Sequence, residues 1–155
     1  MGNWLSPVQI WNTSILGTSV EINGEYIGAT PTVTLNVNTN IENPRMEDGL
    51  ELCKCVLGVR CLWHEPENAD NYAYNATCTL GIAIGIPIDS FGEDVSLDDK
   101  NRVLELNALS IGYGKIRSFI EEITSQSSAG RLVIPAIEPF SLLESIAESK
   151  EIEKG

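Results

Sequence analysis

The chain has 155 residues, 43% of them apolar and 21% charged, with 10 Lys plus Arg against 22 Asp plus Glu and a formal net charge of -12. That length predicts a single domain over residues 1–155 burying about two-thirds of the surface of the unfolded chain. The acid excess excludes binding to nucleic acid, whose affinity comes from Lys and Arg set against phosphates.

The first half alternates in period two, the mark of strands with one face on a core. Val8 to Ile22 is rich in Thr, Ser, Ile and Val and reads as the first strand; Asn23-Gly24 then marks a turn, and Thr30-Pro31 introduces the next segment. Thr32 to Ile41 sets Val33, Leu35 and Val37 against Thr32, Thr34, Asn36 and Asn38, a strand showing one face to water. A polar loop with Pro44 spans Asn43 to Gly49. The run from Leu50 to Trp63 aligns Cys53, Cys55, Leu57, Val59, Cys61 and Trp63 on one face. His64 to Asn71 reads as a charged connection without strand character, and Tyr72 to Ile86 alternates again from Tyr72 and Tyr74 to Ile86. These two runs predict an antiparallel hairpin with a long loop. Gly81 and Gly85, on the other face of the second run, predict bending or close backbone approach.

After Pro87 the period changes. Ser96 supplies a capping hydroxyl and Asp98 and Asp99 suit the positive end of a helix dipole. Leu106, Leu109, Tyr113, Ile116, Ile120 and Ile123 recur at steps of three and four, predicting a helix to about Ser125, with Gly112 and Gly114 marking a kink or a close contact. A polar linker covers Ser125 to Gly130, Leu132 to Ile137 is apolar and extended, and a second helix opens at Pro139. Residues 148–155 form a charged tail that frays. The fold class is therefore α+β: a four-stranded antiparallel sheet followed by two helices.

Chemistry is sparse. Cys53, Cys55, Cys61 and His64 supply four zinc-type ligands within twelve residues. On one strand, however, His64 points away from the cysteines, and Cys55 and Cys61 stand about 20 Å apart, too far to share an ion. Buried thiols packing as small hydrophobes is the simpler reading, with a Cys-dependent metal-binding protein as the alternative. The chain has one histidine, and no nucleophile elbow, phosphate-binding loop or dinucleotide fingerprint. The expectation is a protein without catalytic residues or cofactor. The first basic residue is Arg45, which does not suit a secretory signal, and the longest apolar run, Leu80 to Ile88, is about half of a bilayer span. A soluble, cytoplasmic protein with no membrane partner is expected. Met1-Gly2-Asn3-Trp4-Leu5-Ser6 matches the loose myristoylation pattern, a short motif that recurs by chance.

The order of elements and several residues resemble the SecB family of protein-export chaperones, over Val8 to Ser145. Val8-Gln9-Ile10 and Ser19-Val20-Glu21 are similar to the family's first strand. Tyr113-Gly114-Lys115-Ile116-Arg117-Ser118-Phe119-Ile120 is similar to its aromatic-Pro-Tyr-Ala-Arg-Glu-x-aliphatic motif, with Tyr113, Arg117 and Ile120 agreeing. Leu132 to Ile137 with Phe140 and Leu143 resemble its Leu-x-Leu-x-Pro-Val-Asn-Phe ending. Gly114 and Ser118 replace the family's Pro and Glu, and Gly17 and Ala76 stand where acids that dock the translocase motor ATPase are expected, leaving Glu21 as the translocase-docking residue that fits.

The resemblance implies an ATP-independent holdase that keeps unfolded or preprotein chains soluble and translocation-competent, assembled as a homotetramer, a dimer of dimers. It assigns Trp63, Tyr72, Tyr74, Ile134 and Phe140 to client binding and Leu106, Leu109, Tyr113, Ile116, Ile120 and Ile123 to the oligomer interface. A SecB-like chaperone dedicated to one client, such as an antitoxin, is the alternative partner assignment.

Overall fold

In a computed structural model, the structure describes residues 9–43, 45–87, 96–127, 131–138, 141, 142, 144, 145 and 148. Val8, Phe140 and the tail beyond 148 lie outside the described residues. The long alternating runs become β1 (Gln9–Ile22), β2 (Thr32–Ile41), β4 (Leu50–Glu65) and β5 (Asn68–Pro87), with a short β3 (Arg45–Glu47) between the second and third of them. The strands form one antiparallel sheet in the order β1-β5-β4-β2, and β3 pairs with the start of β4. β1 and β2 are thus on opposite edges, and the chain between them crosses the end of the β4–β5 hairpin. It is pinned there by Asn23 Nδ2 donating to the Tyr72 carbonyl at 3.0 Å and Asn71 Nδ2 donating to the Ile27 carbonyl at 3.0 Å.

Two segments expected as loops are strand. The charged connection from His64 to Asn71 shrinks to a turn at Pro66-Glu67, with ladder pairing on either side. Its polar side chains do not break the ladder because they find partners. His64, expected at the surface, is only 7% exposed; its Nδ1 lies 2.7 Å from the Glu65 carbonyl, and its Nε2 lies 2.6 Å from Thr34 Oγ1. The carbonyl can only accept, so Nδ1 carries the proton in this contact. The polar loop around residues 43–49 holds β3, which turns into β4 through Asp48 (φ 52°) and Gly49 (φ 78°). Two successive left-handed residues make the hairpin turn that Asp-Gly favours.

The helix forms as expected. α1 (Leu97–Thr124) is capped by the Ser96 hydroxyl, which accepts from the Asp99 amide at 3.2 Å, and has Asp98 and Asp99 in its first turn. It packs across β4 and β5. The core is the face of Cys53, Cys55, Leu57, Val59, Cys61 and Trp63 on β4, with Ala76, Cys78, Leu80, Ile82, Ile84 and Ile86 on β5, closed by the buried side of the helix. That side is Leu104, Ala108, Leu109, Gly112, Tyr113, Ile116, Ile120 and Thr124. Counting aliphatic residues missed Ala108 and Gly112 because they serve the core by being small. Residues 141, 142, 144, 145 and 148 are helical, with Glu138 accepting from the Ser141 and Leu142 amides, in keeping with the second helix. Among the described residues no helix is long and apolar enough to cross a membrane.

The two helix glycines differ. A Cβ on Gly112 would stand 3.2 Å from Leu57 Cδ2 and 3.7 Å from Ile82 Cγ2, whereas one on Gly114 would meet nothing within 4 Å. Gly114→Ala is therefore expected to stabilise the fold by about 1 kcal/mol through helix propensity. Gly112→Ala should lose that gain to overpacking, which costs about 1–3 kcal/mol. Urea unfolding of the two variants checks the contrast, and equal stabilisation of both would contradict a close helix–sheet contact at Gly112.

Candidate functional site

The helix covers the centre of the sheet and leaves two flanks, which are treated differently. On the β1 flank Val20 is half-buried against the core, but among the described residues no element covers Ile10, Ile15 and Ile22, which are 50%, 38% and 40% exposed. Between them and α1 lies an open groove of about 660 Å³, floored by Leu80, walled by Ile15, Ile111 and Phe119, and rimmed by Ser110, Ser118, Lys115 and Glu122. β1 is an edge strand of 14 residues, so among the described residues one side of its backbone has no ladder partner. An apolar groove beside a free strand edge suits an extended segment that pairs through main-chain hydrogen bonds and inserts alternate side chains.

The opposite flank is filled. Residues 131–137 run back along α1 on the side of Tyr113, Arg117 and Thr124, with Leu132 and Ile134 buried. Arg117 Nε donates to the Ile134 carbonyl at 2.8 Å, the Tyr113 hydroxyl donates to the Pro135 carbonyl, and the Leu132 amide donates to Thr124 Oγ1 at 2.9 Å. Burial pushes the Tyr113 phenol up to about 12, so it donates throughout the physiological range. Glu121, whose carboxyl is held below its usual range chiefly by Arg131, clamps the start of the segment at 2.7 Å.

The residues assigned to client binding are not brought to one surface. Trp63 and Tyr74 meet edge to face at 6.1 Å on the helix side, with Trp63 buried and Tyr74 half-buried. A register shift pairs Tyr72 with His64 and sends its hydroxyl to Glu21 Oε2 at 2.9 Å, on the face the helix leaves free. Ile134 is wholly buried under α1. Glu21 is thus already engaged by Tyr72, and this hydrogen bond raises the Tyr72 phenol. Of the residues assigned to the oligomer interface, Leu109, Tyr113, Ile116 and Ile120 are spent on the chain's own core, because α1 is pressed onto β4 and β5 within one chain. Leu106 and Ile123 lie at the margin, with Ile123 38% exposed. Sequence reasoning missed the groove residues Ile15, Leu80, Ile111 and Phe119. Register shifts after Ile10 and Ile15 interrupt the alternation that would have paired Ile15 with Leu80.

The sheet's free face is mostly small and polar. Leu16 and Val56 are its exposed apolar side chains, beside a depression of about 410 Å³ that Asn12, Ser14, Asn40 and Lys54 help to line.

No protein-family model and no characterised protein matches the sequence. The architecture is α+β, an antiparallel sheet followed by one long helix. Among solved structures it is similar to the SecB-like chaperone Rv1957 of Mycobacterium tuberculosis, determined in complex with a ChAD peptide from the HigA1 antitoxin. The match covers 84% of this chain and 88% of that one with a TM-score of 0.55 at 11% identity. A protein of unknown function from Streptococcus agalactiae matches over 84% of this chain and 97% of its own, with a TM-score of 0.48 at 8% identity. The chain therefore has the SecB-like fold.

The four cysteines are buried and form no disulfide, and among the described residues no three His, Cys, Asp or Glu side chains converge on a metal-sized point. Burial pushes the Cys53 and Cys61 thiols up to about 12 from 9.0. Their folded values exceed the unfolded ones, so their contribution to stability is complete below the unfolded value and is lost as pH rises through the folded one. Stability should fall between pH 9.0 and about 12, approaching about 1.4 kcal/mol per pH unit for each thiol. Urea midpoints across that range check this. Iodoacetamide should label the thiols only in denaturant, and labelling of the native protein would contradict their burial.

Proposed function

We propose that the protein is an ATP-independent, non-enzymatic chaperone that binds extended segments of unfolded or preprotein chains in the cytoplasm. The observation that carries this reading is the uncovered groove between β1 and α1, with its exposed aliphatic side chains next to a free strand edge. Main-chain pairing supplies affinity without reading sequence, and aliphatic pockets tolerate many side chains, which is what a holdase requires. The net charge of -12 keeps molecules with exposed apolar surface apart. A SecB-like fold supports the same reading, and so does the antitoxin peptide bound by Rv1957. Assembly as a dimer of dimers would leave α1 only its marginal and outward residues, such as Leu106 and Ile123, for subunit packing.

Service to one dedicated client, such as an antitoxin, is favoured over handover to the translocase motor by one observation. Glu21, the acid matching the docking surface, already accepts a hydrogen bond from Tyr72.

Light scattering on sized fractions, with and without a chemically denatured client and without ATP, tests the proposal. A homo-oligomer gaining the mass of one unfolded chain, and ignoring the same client when folded, is the expected result. Ile15→Glu should weaken client binding at least about tenfold with an unchanged circular dichroism spectrum, because Ile15 is partly exposed on an edge strand. A monomer that ignores the denatured client would remove the reading.

A further inference from the structure

We infer that residues 131–137 occupy a second docking track for extended polypeptide, on the flank of α1 away from β1, and that a bound client displaces them. The inference rests on the chaperone reading above and names a second site for it.

The segment is held as a client would have to be held. It has no strand or helix pairing, yet its side chains alternate: Leu132 is 7% exposed and Ile134 is fully buried, while Val133 between them is 61% exposed and Pro135 points outward. Three α1 side chains hydrogen-bond to its main chain. Thr124 accepts from the Leu132 amide, Arg117 donates to the Ile134 carbonyl and Tyr113 donates to the Pro135 carbonyl. These residues lie four and seven apart on α1, so they form one row along the helix. Main-chain groups are common to all polypeptides, so the row selects an extended backbone rather than a sequence. Selection by side chain is confined to two apolar sockets two residues apart.

Exchange for a client is chemically even. If the segment simply departed, the Tyr113 hydroxyl would lose its carbonyl acceptor, Thr124 would keep the carbonyls of its own helix and Arg117 would keep Glu121; a client backbone in the same register restores to all three an amide and two carbonyls. The contacts specific to this chain's own side chains are the packing of Leu132 and Ile134 in the core and the Arg131–Glu121 pair at 2.7 Å, on an arginine largely in solvent. The ligand class is thus an extended stretch carrying aliphatic residues at alternate positions. The burial of Ile134, a residue expected to bind clients, follows from the segment filling the track itself.

Hydrogen exchange of the full-length protein, read by mass spectrometry, tests this with reduced and carboxamidomethylated ribonuclease A as a permanently unfolded probe. The expected result is that residues 132–134 lose protection by about tenfold or more when the probe binds, while β4 and β5 keep theirs. Probe binding by light scattering with unchanged protection at 132–134 would overturn the displacement and leave the chaperone reading standing. If the wild-type protein binds no probe, the chaperone reading and this inference are both overturned.

Discussion

The rest of the structure depends on how closely α1 can lie against β4 and β5. Ala108 and Gly112 present almost no side chain, so the helix settles onto Leu57, Leu80 and Ile82 and seals a core made from one face of two strands. Because that contact is narrow, a single helix spans only the central pair of strands. Two flanks are an unavoidable product of laying one cylinder on a wider sheet, since a helix with its side chains is about 10–12 Å across and strands lie about 4.8 Å apart.

What the chain does with those flanks differs by sequence. On one side the segment after α1 folds back and contributes Leu132 and Ile134 to the core; on the other Ile10, Ile15 and Ile22 of β1 stay partly in solvent. The asymmetry gives a single molecule both an open and an occupied version of the same kind of surface: helix side chains along one wall and an extended chain, or room for one, along the other. Recognition on the occupied side runs through carbonyl and amide groups.

Much of this was legible in the sequence. The strands and the helix, down to the Ser96 cap, follow from period-two and period-three-to-four patterns, each fixed locally by where one backbone geometry points its side chains. The failures share a cause. His64 to Asn71 was read as loop because it is polar, yet His64 is met across the ladder by Thr34 and Asn71 by the Ile27 carbonyl, partners that only the tertiary fold supplies. The face assigned to Tyr72 was inverted by one extra residue in the pairing, and the groove on β1 was hidden by similar shifts. The client-binding and interface assignments to Ile134 and Ile120 came from the resemblance laid over an apolar pattern, and such a pattern does not distinguish a side chain that faces a partner from one that faces its own sheet. The Asp48-Gly49 turn was the exception, with a signal in plain view.

The placement of β1 beside β5 also bears on how the chain comes together. Gln9 pairs with Gly85 and Ile22 with Tyr74, so the first strand finds its place only after almost the whole sheet sequence exists. β4 and β5, joined by a two-residue turn, have the short loop closure that lets a hairpin form early, whereas β1 must close a far longer one. During synthesis, which proceeds from the N-terminus, the Thr- and Ile-rich first strand is made first and docked last. For that interval it is itself an unpaired, aggregation-prone polypeptide, and its many hydroxyl and amide side chains, Asn12, Thr13, Ser14, Thr18 and Ser19, keep it in solution until β5 arrives.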